Sequence, residues 1–273
     1  MTETSHTFGP YSVTLLQDGV FEPPNDILIH AGGAEALAAA KAGLGETLHL
    51  QVNAFLVQGP GGVTLVDAGI GQAWGPGFGH ARGLLAAAGI APAAIDRVLL
   101  THLHADHAMG LLDGDQAWLE NAEIMVPALD MDYFSDDAVR ASLPEAKHNA
   151  FDMTKTLLTA YAGRLRRIGP GPVPGMPGVE LVALPGHTPG HSGYRFHGDG
   201  DLLLWADTLH VRDAQAADPD LGMVFDVDPE MARQTRIATL AAAAHEGWTV
   251  AGAHVAGFGK IVRAGGAYAF TEV

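Results

Sequence analysis

The chain of 273 residues contains no cysteine. Disulfides, thiolate nucleophiles and thiolate metal ligands are therefore excluded. Basic residues are scarce: 15 Lys and Arg stand against 31 Asp and Glu, a net charge of −16. A protein that binds nucleic acid needs a basic face, so nucleic acid is not expected as a partner. An anionic membrane surface is disfavoured for the same reason. No run approaches the ~18 apolar residues of a membrane span. The start, MTETSHTFGPYSV, lacks the basic and apolar regions of a secretory signal, so a cytoplasmic location is expected. There is no linker rich in Ser, Pro or charge and no internal period. A single domain over residues 1–273 is therefore expected. Nor is there a G-x-S-x-G elbow to supply a serine nucleophile.

What the chain does have is apolar residues, 48%, enough for a sizeable core, together with 35 Gly and 16 Pro that imply many tight turns. Strands are expected over 11–16, 52–57, 63–66, 97–101, 124–126, 179–184, 194–196, 202–205, 248–251, 261–262 and 268–270. The pair 52–57 and 63–66 flanks Gly59-Pro60-Gly61-Gly62 as a hairpin. Residues 27–29 are short and ambiguous. Helices are expected over 34–42, 81–88, 229–245 and, as one long element weakly broken at Gly163, over 144–165. Arg164, Arg166 and Arg167 then read as a solvated helix end. The order is β-rich, helix, β-rich, helix: an α+β fold with sheets inside and helices outside.

Histidine is the abundant chemical group, with 14 in the chain. Most read as capped or solvated, among them His6, His30, His49, His80, His148, His197 and His245. The segment His102-Leu103-His104-Ala105-Asp106-His107 does not, because it puts four potential ligands directly after an apolar strand. Extended chain past Thr101 turns His102 and His104 to one side. A turn at Ala105 sends Asp106 and His107 to a neighbouring position. Neutral imidazole and carboxylate without thiolate suit zinc or another borderline divalent cation. Three later strands end in His187, Asp207 and His254. Seven protein ligands are too many for one cation but suit two. Three His on one, an Asp with two His on the other, and a carboxylate shared between them is a consistent count.

These segments, with Val66-Asp67-Ala68-Gly69, Pro185-Gly186-His187-Thr188-Pro189-Gly190-His191, Trp205-Ala206-Asp207 and Ala253-His254, resemble the metallo-β-lactamase superfamily in composition and order. Residues 12–19, 202–228 and 250–258 are more similar to its methyl parathion hydrolase branch, beside the acyl-homoserine lactonases. The resemblance implies an αββα sandwich with metals at the sheet edges. It places one metal on His102, His104 and His187 and a second on Asp106, His107 and His254. Asp207 bridges the two, so that Asp106 and Asp207 are the carboxylates of the catalytic centre. Asp67 would orient the ligand loops, and His191 would be supporting rather than ligating. Two positions depart from the family's common residues: Met109 precedes Gly110, and Ala206 stands where Gly is frequent. Homodimers are common in the resembled branch.

The implied cofactors are two divalent ions, zinc first, with Mn, Co or Fe as alternatives. Two such ions lower the pKa of a shared water, so a bridging hydroxide would attack a carbonyl or phosphoryl centre without a covalent intermediate. The acidic chain favours small neutral substrates: lactones, esters and organophosphate triesters. The competing function is an oxidoreductase on the same fold, of the mononuclear iron persulfide dioxygenase kind, which needs fewer ligands. Trp74 and Phe78 in the Gly71–Gly79 loop, and Phe225, are candidate pocket walls. His210, three residues after Asp207, is a candidate supporting residue.

Overall fold

The computed structural model describes residues 5–273. Two seven-stranded mixed sheets lie face to face. The first runs Ser5–Phe8, Tyr11–Phe21, Leu50–Gly59, Gly62–Val66, Arg97–Leu99, Glu123–Pro127, Leu165–Ile168. The second runs Gly171–Pro172, Val179–Ala183, Ser192–Phe196, Leu202–Leu204, Thr249–Ala251, Gly259–Ala264, Ala267–Glu272.

Alternation along the strands builds the layers. Phe55 and Val57 point between the sheets and meet Leu181, Phe196, Leu202 and Leu204. Their neighbours Ala54 and Leu56 face outward, into a core shared with Leu85, Phe134, Phe151 and Leu157 of the helices His80–Ala87, Ala128–Phe134 and Asn149–Ala160. On the far side Leu203, Val250 and Ile261 pack with Leu240 and Ala243 of the long helix Pro229–Glu246. Period-two strands therefore feed three cores at once, and the αββα sandwich follows. Asp228 caps the long helix by accepting from the Met231 N–H (3.0 Å), with Pro229 at its first position.

The expected strands and the helices at 34–42, 81–88 and 229–245 are present within a few residues. Residues 144–165 are not one helix. A 3-10 turn at Glu145–Lys147 precedes the helix Asn149–Ala160, and Gly163 (φ 79°) turns the chain into the strand Leu165–Ile168. That strand pairs parallel with Glu123–Pro127 at the sheet edge, where Arg166 and Arg167 face Glu123 and Asp132. The arginines are thus on and before an edge strand, not at a helix end. Arg164 donates to the Glu120 carbonyl at 2.9 Å. The ambiguous residues 27–29 split between a 3-10 turn and the strand Leu28–His30, which pairs with Leu221–Met223. Among the described residues no helix is long and apolar enough to cross a membrane.

Candidate metal centre

The strands Gly62–Val66, Arg97–Leu99, Leu202–Leu204 and Thr249–Ala251 each run into a loop carrying a singled-out residue: Asp67, His102, Asp207 and His254. Neighbours in each sheet are parallel within these pairs, so the loops emerge on a common edge. His187 comes from the turn after Val179–Ala183. There Gly186 (φ 125°) sits so close to the Ala232 backbone that any Cβ would collide with it. A short helix, Ala105–Ala108, starts immediately after His104 and swings Asp106 and His107 to the neighbouring position.

All seven side chains converge. Ligand atoms of His102, His104 and His187 lie within 4.8 Å of one another, and so do those of Asp106, His107 and His254. Asp207 touches both triplets. Its Oδ2 is 3.1 Å from His187 Nε2 and 3.1 Å from His254 Nε2, and its Oδ1 is 3.1 Å from His107 Nε2. Ala206, just before it, is held at φ 48°. That is the left-handed region, where glycine is cheapest.

The donor set fits metal cations. His102 Nε2, His107 Nε2 and Asp207 Oδ1 are buried, crowded together, and without a hydrogen-bond partner. Such atoms each cost about 1–3 kcal/mol unless something satisfies them. His104 Nδ1 and His187 Nε2 lie 2.9 Å apart. The far nitrogens of the rings are occupied elsewhere. His107 Nδ1–H donates to Asp67 (2.8 Å), His254 Nδ1–H to the Gln51 carbonyl (2.6 Å), and His187 Nδ1–H to Asp226 (2.9 Å). His102 Nδ1 reaches Thr101 Oγ1 (3.1 Å), whose hydroxyl donates to Asp67 (2.8 Å). Each anchored ring turns its other nitrogen inward.

Charge among these imidazoles and carboxylates is strongly partitioned. Burial, and then His107, hold His102 well below the usual imidazole range, and burial with His187 does the same to His104. Burial also opposes the charge on His187, but Asp207 and Asp226 outweigh it and raise the pKa to about 9. His107 and His254 are raised against burial chiefly by Asp207. Asp207, despite burial, is held well below the carboxylate range by His107, His254 and His187. His191 is used at both nitrogens: Nδ1–H donates to the Leu184 carbonyl (2.6 Å) and Nε2 accepts the Asp207 N–H (3.0 Å). It lies among the donors yet has no lone pair left to offer.

Several supporting residues escape a reading of the sequence. Asp18 accepts from the N–H groups of Ile70, Gly71 and Ala81 and so shapes the loop after Asp67. Asn53 donates to the carbonyls of Gly252 and Val255 around His254. Asp130 accepts from Leu103 N–H (2.8 Å), the Thr188 hydroxyl (2.7 Å) and Gly190 N–H (2.6 Å), tying the His102–His104 turn to the turn of His187. Its burial raises its pKa to about 6 against those three bonds. The available signal is a carboxylate inside an apolar run, Ala128-Leu129-Asp130-Met131, because buried carboxylates require partners. Asp130→Ala strands three buried donors. A loss of roughly 3 kcal/mol in urea-unfolding free energy is expected; an unchanged midpoint would contradict the clamp.

Beside the centre opens a cavity of about 350 Å³, walled by Phe21, Leu50, Trp74, Tyr133, Phe134, Val224, Phe225 and Val227 and floored by His104, Asp106, His187, Asp207 and His254. Trp74 and Phe225 line it as the sequence suggests. Phe78 does not; it packs edge-on against Trp74, centroids 5.5 Å apart. His210 also reaches the cavity, stacked on His254 (4.6 Å, 14°) with Nε2 at 3.2 Å from Asp207. Burial lowers its pKa to about 4.

The sequence model of the metallo-beta-lactamase superfamily matches residues 48–254. The chain belongs to the metallo-β-lactamase superfamily. Among solved structures it is similar to AbOPH, a hydrolase in the beta-lactamase superfamily, at 26% identity and TM-score 0.88 over 100% of this chain and 97% of that one. It is similar in fold to AidC, a dizinc quorum-quenching lactonase (21% identity, TM-score 0.87, 98% and 96% covered). A third likeness is to a probable metal-dependent hydrolase from Staphylococcus aureus (22% identity, TM-score 0.78, 98% and 99% covered). No curated protein sequence matches the chain.

Proposed function

We propose that residues 1–273 form one metallo-hydrolase domain that holds two divalent ions, zinc first, and cleaves lactones or esters, with organophosphate triesters as a further class. The observation that carries this reading is the meeting of two ligand triplets at Asp207 on the floor of an apolar cavity. His102, His104 and His187 would hold one ion, Asp106, His107 and His254 the other, and Asp207 both. When bound, a pair of such ions supplies Lewis acidity and makes water nucleophilic at neutral pH. The likeness in fold to AidC, itself a dizinc lactonase, supports the pairing.

The chain's own residues do the rest. Trp74, Phe134 and Phe225 receive the apolar body of the substrate and exclude water from the reacting centre. The chain's overall charge of −16 disfavours the approach of strongly anionic substrates, so an uncharged carbonyl or phosphoryl group is the preferred visitor. The complete second triplet separates this reading from a mononuclear iron oxidoreductase, for which it would have no use.

The test is a kinetic panel on zinc-reconstituted protein: an acyl-homoserine lactone, an aromatic lactone, an aryl ester, a dialkyl aryl phosphotriester and a β-lactam, compared by kcat/KM. At least one lactone, ester or triester should exceed the β-lactam by tenfold or more, on the order of 1.4 kcal/mol in transition-state binding. Chelation should abolish turnover, and Zn, Mn or Co should restore it. No hydrolysis of any of them by protein holding two ions, or a reproducible single iron, would overturn the reading.

A further inference from the structure

His187 and His107 are backed in the same way from two sides of the centre. His107 Nδ1–H rests on Asp67, and His187 Nδ1–H rests on Asp226. Asp226 is 5% exposed and lies in an apolar run, Met223-Val224-Phe225-Asp226-Val227. A buried carboxylate of this kind is costly unless it is paired. Its second oxygen faces the Arg236 guanidinium at 3.7 Å and accepts weakly from Met223 N–H (3.4 Å). Arg236, 1% exposed, comes from the long helix Pro229–Glu246. It donates Nε to the Thr208 carbonyl (3.1 Å) and Nη1 to the Pro219 carbonyl (2.9 Å). Thr208 follows Asp207 directly. One buried arginine therefore braces the backbone beside Asp207 and the carboxylate behind His187.

We infer that Asp226, held by Arg236, is a positioning residue for His187: it fixes the ring in the Nδ1–H tautomer, turns the Nε2 lone pair inward, and so governs loading of the His102/His104/His187 position while leaving the Asp106/His107/His254 position to Asp67. This rests on the two-ion reading above. The asymmetry is its content. His254 is anchored on the Gln51 carbonyl and His107 on Asp67, and neither contacts Asp226. Removing an outer partner of a ligating imidazole lowers metal affinity by about 10–100-fold.

The experiment is zinc titration of the wild-type chain and of Asp226→Asn and Asp226→Ala, against a competing chelator, read by native mass spectrometry. Wild type should hold two zinc ions. Each variant should keep one ion at wild-type affinity and bind the second about 10–100-fold more weakly. Wild-type affinity at both positions, or equal weakening of both, overturns the inference. A wild-type chain that takes fewer than two ions instead overturns the two-ion reading. Because the variants can fail to fold, imidazole ¹⁵N NMR of zinc-loaded wild type supplies an independent readout. His187 should carry its proton on Nδ1; a proton on Nε2 overturns the inference without any substitution.

Discussion

Asp207→Ala is expected to abolish hydrolysis and to empty both metal positions together. Asp207 places a carboxylate between the two triplets, 3.1 Å from His187 in one and from His254 and His107 in the other. Removing it takes away the carboxylate that would serve both positions and the negative charge that would offset two dications. With metal charge stabilisation worth several kcal/mol, a fall of at least about a thousandfold in kcat/KM, on the order of 4 kcal/mol, is expected. Elemental analysis should drop from close to two ions per chain to less than one. His104→Ala, which strips a single triplet, should lose one ion rather than two. The fold should survive both changes. The imidazoles that Asp207 keeps charged release their protons once it is gone, so no buried unpaired charge is left behind. Asp207→Asn separates shape from charge: it keeps the volume and should fail as badly as alanine. Full activity in Asp207→Ala protein with normal folding would remove Asp207 from the centre.

The candidate ligand set is legible in the sequence because four of its members follow the ends of apolar strands, and strand ends on one edge must meet, while His104, Asp106 and His107 follow His102 within five residues. His102, His187, Asp207 and His254 all obey that rule. The layers are legible too, since alternating positions such as Ala54-Phe55-Leu56-Val57 divide between two cores. What fails is local. The helix expected over 144–165 runs too far, with Arg166 and Arg167 read as its solvated end, and only pairing with Glu123–Pro127 makes Leu165–Ile168 a strand. Asp130, Asp226 and Arg236 go unseen for a different reason. Each serves a ligand loop from a distant segment, with no spacing that links it to the loop it braces. Asp130 reaches residue 188 and Arg236 reaches residue 208. A buried charge in an apolar run is visible in sequence; its partner is not. Ala206 shows the reverse case. Its departure from glycine is plain in the sequence, and the structure supplies the meaning, a left-handed backbone at φ 48° immediately before Asp207.

Raising the pH should weaken the metal-free chain and strengthen metal binding at the same time. Burial pulls His187 down, but Asp207 and Asp226 prevail and set its pKa at about 9, against about 6.5 in an unfolded chain. Between those values the folded state holds one proton more than the unfolded state. The stability this contributes is complete below about pH 6.5 and is lost as the pH climbs through about 9, roughly 3 kcal/mol in all. His107 and His254 are raised as well and act in the same direction. On the acid side the sign reverses. Burial lowers His191 to about 3 and His210 to about 4. The unfolded state therefore binds the extra protons below about pH 6.5, and stability falls as pH drops from there toward about 4. Metal-free protein should be most stable near pH 6.5, the unfolded imidazole value, to about one unit. Its Tm should decline by roughly 5–10 °C on going to about pH 9, given about 2–4 °C per kcal/mol in a chain of this size. Zinc must displace the proton that His187 carries at neutral pH, so its affinity should rise with pH until about 9, with protons released on binding. Calorimetry in two buffers of different ionisation enthalpy counts those protons, and thermal scans with and without chelator measure the rest. The gap between metal-loaded and metal-free Tm should therefore widen steadily from about pH 6.5 to about 9. A metal-free Tm that stays level over this range, with no proton release on zinc binding, would mean that the imidazoles around Asp207 are not charged in the way their geometry requires.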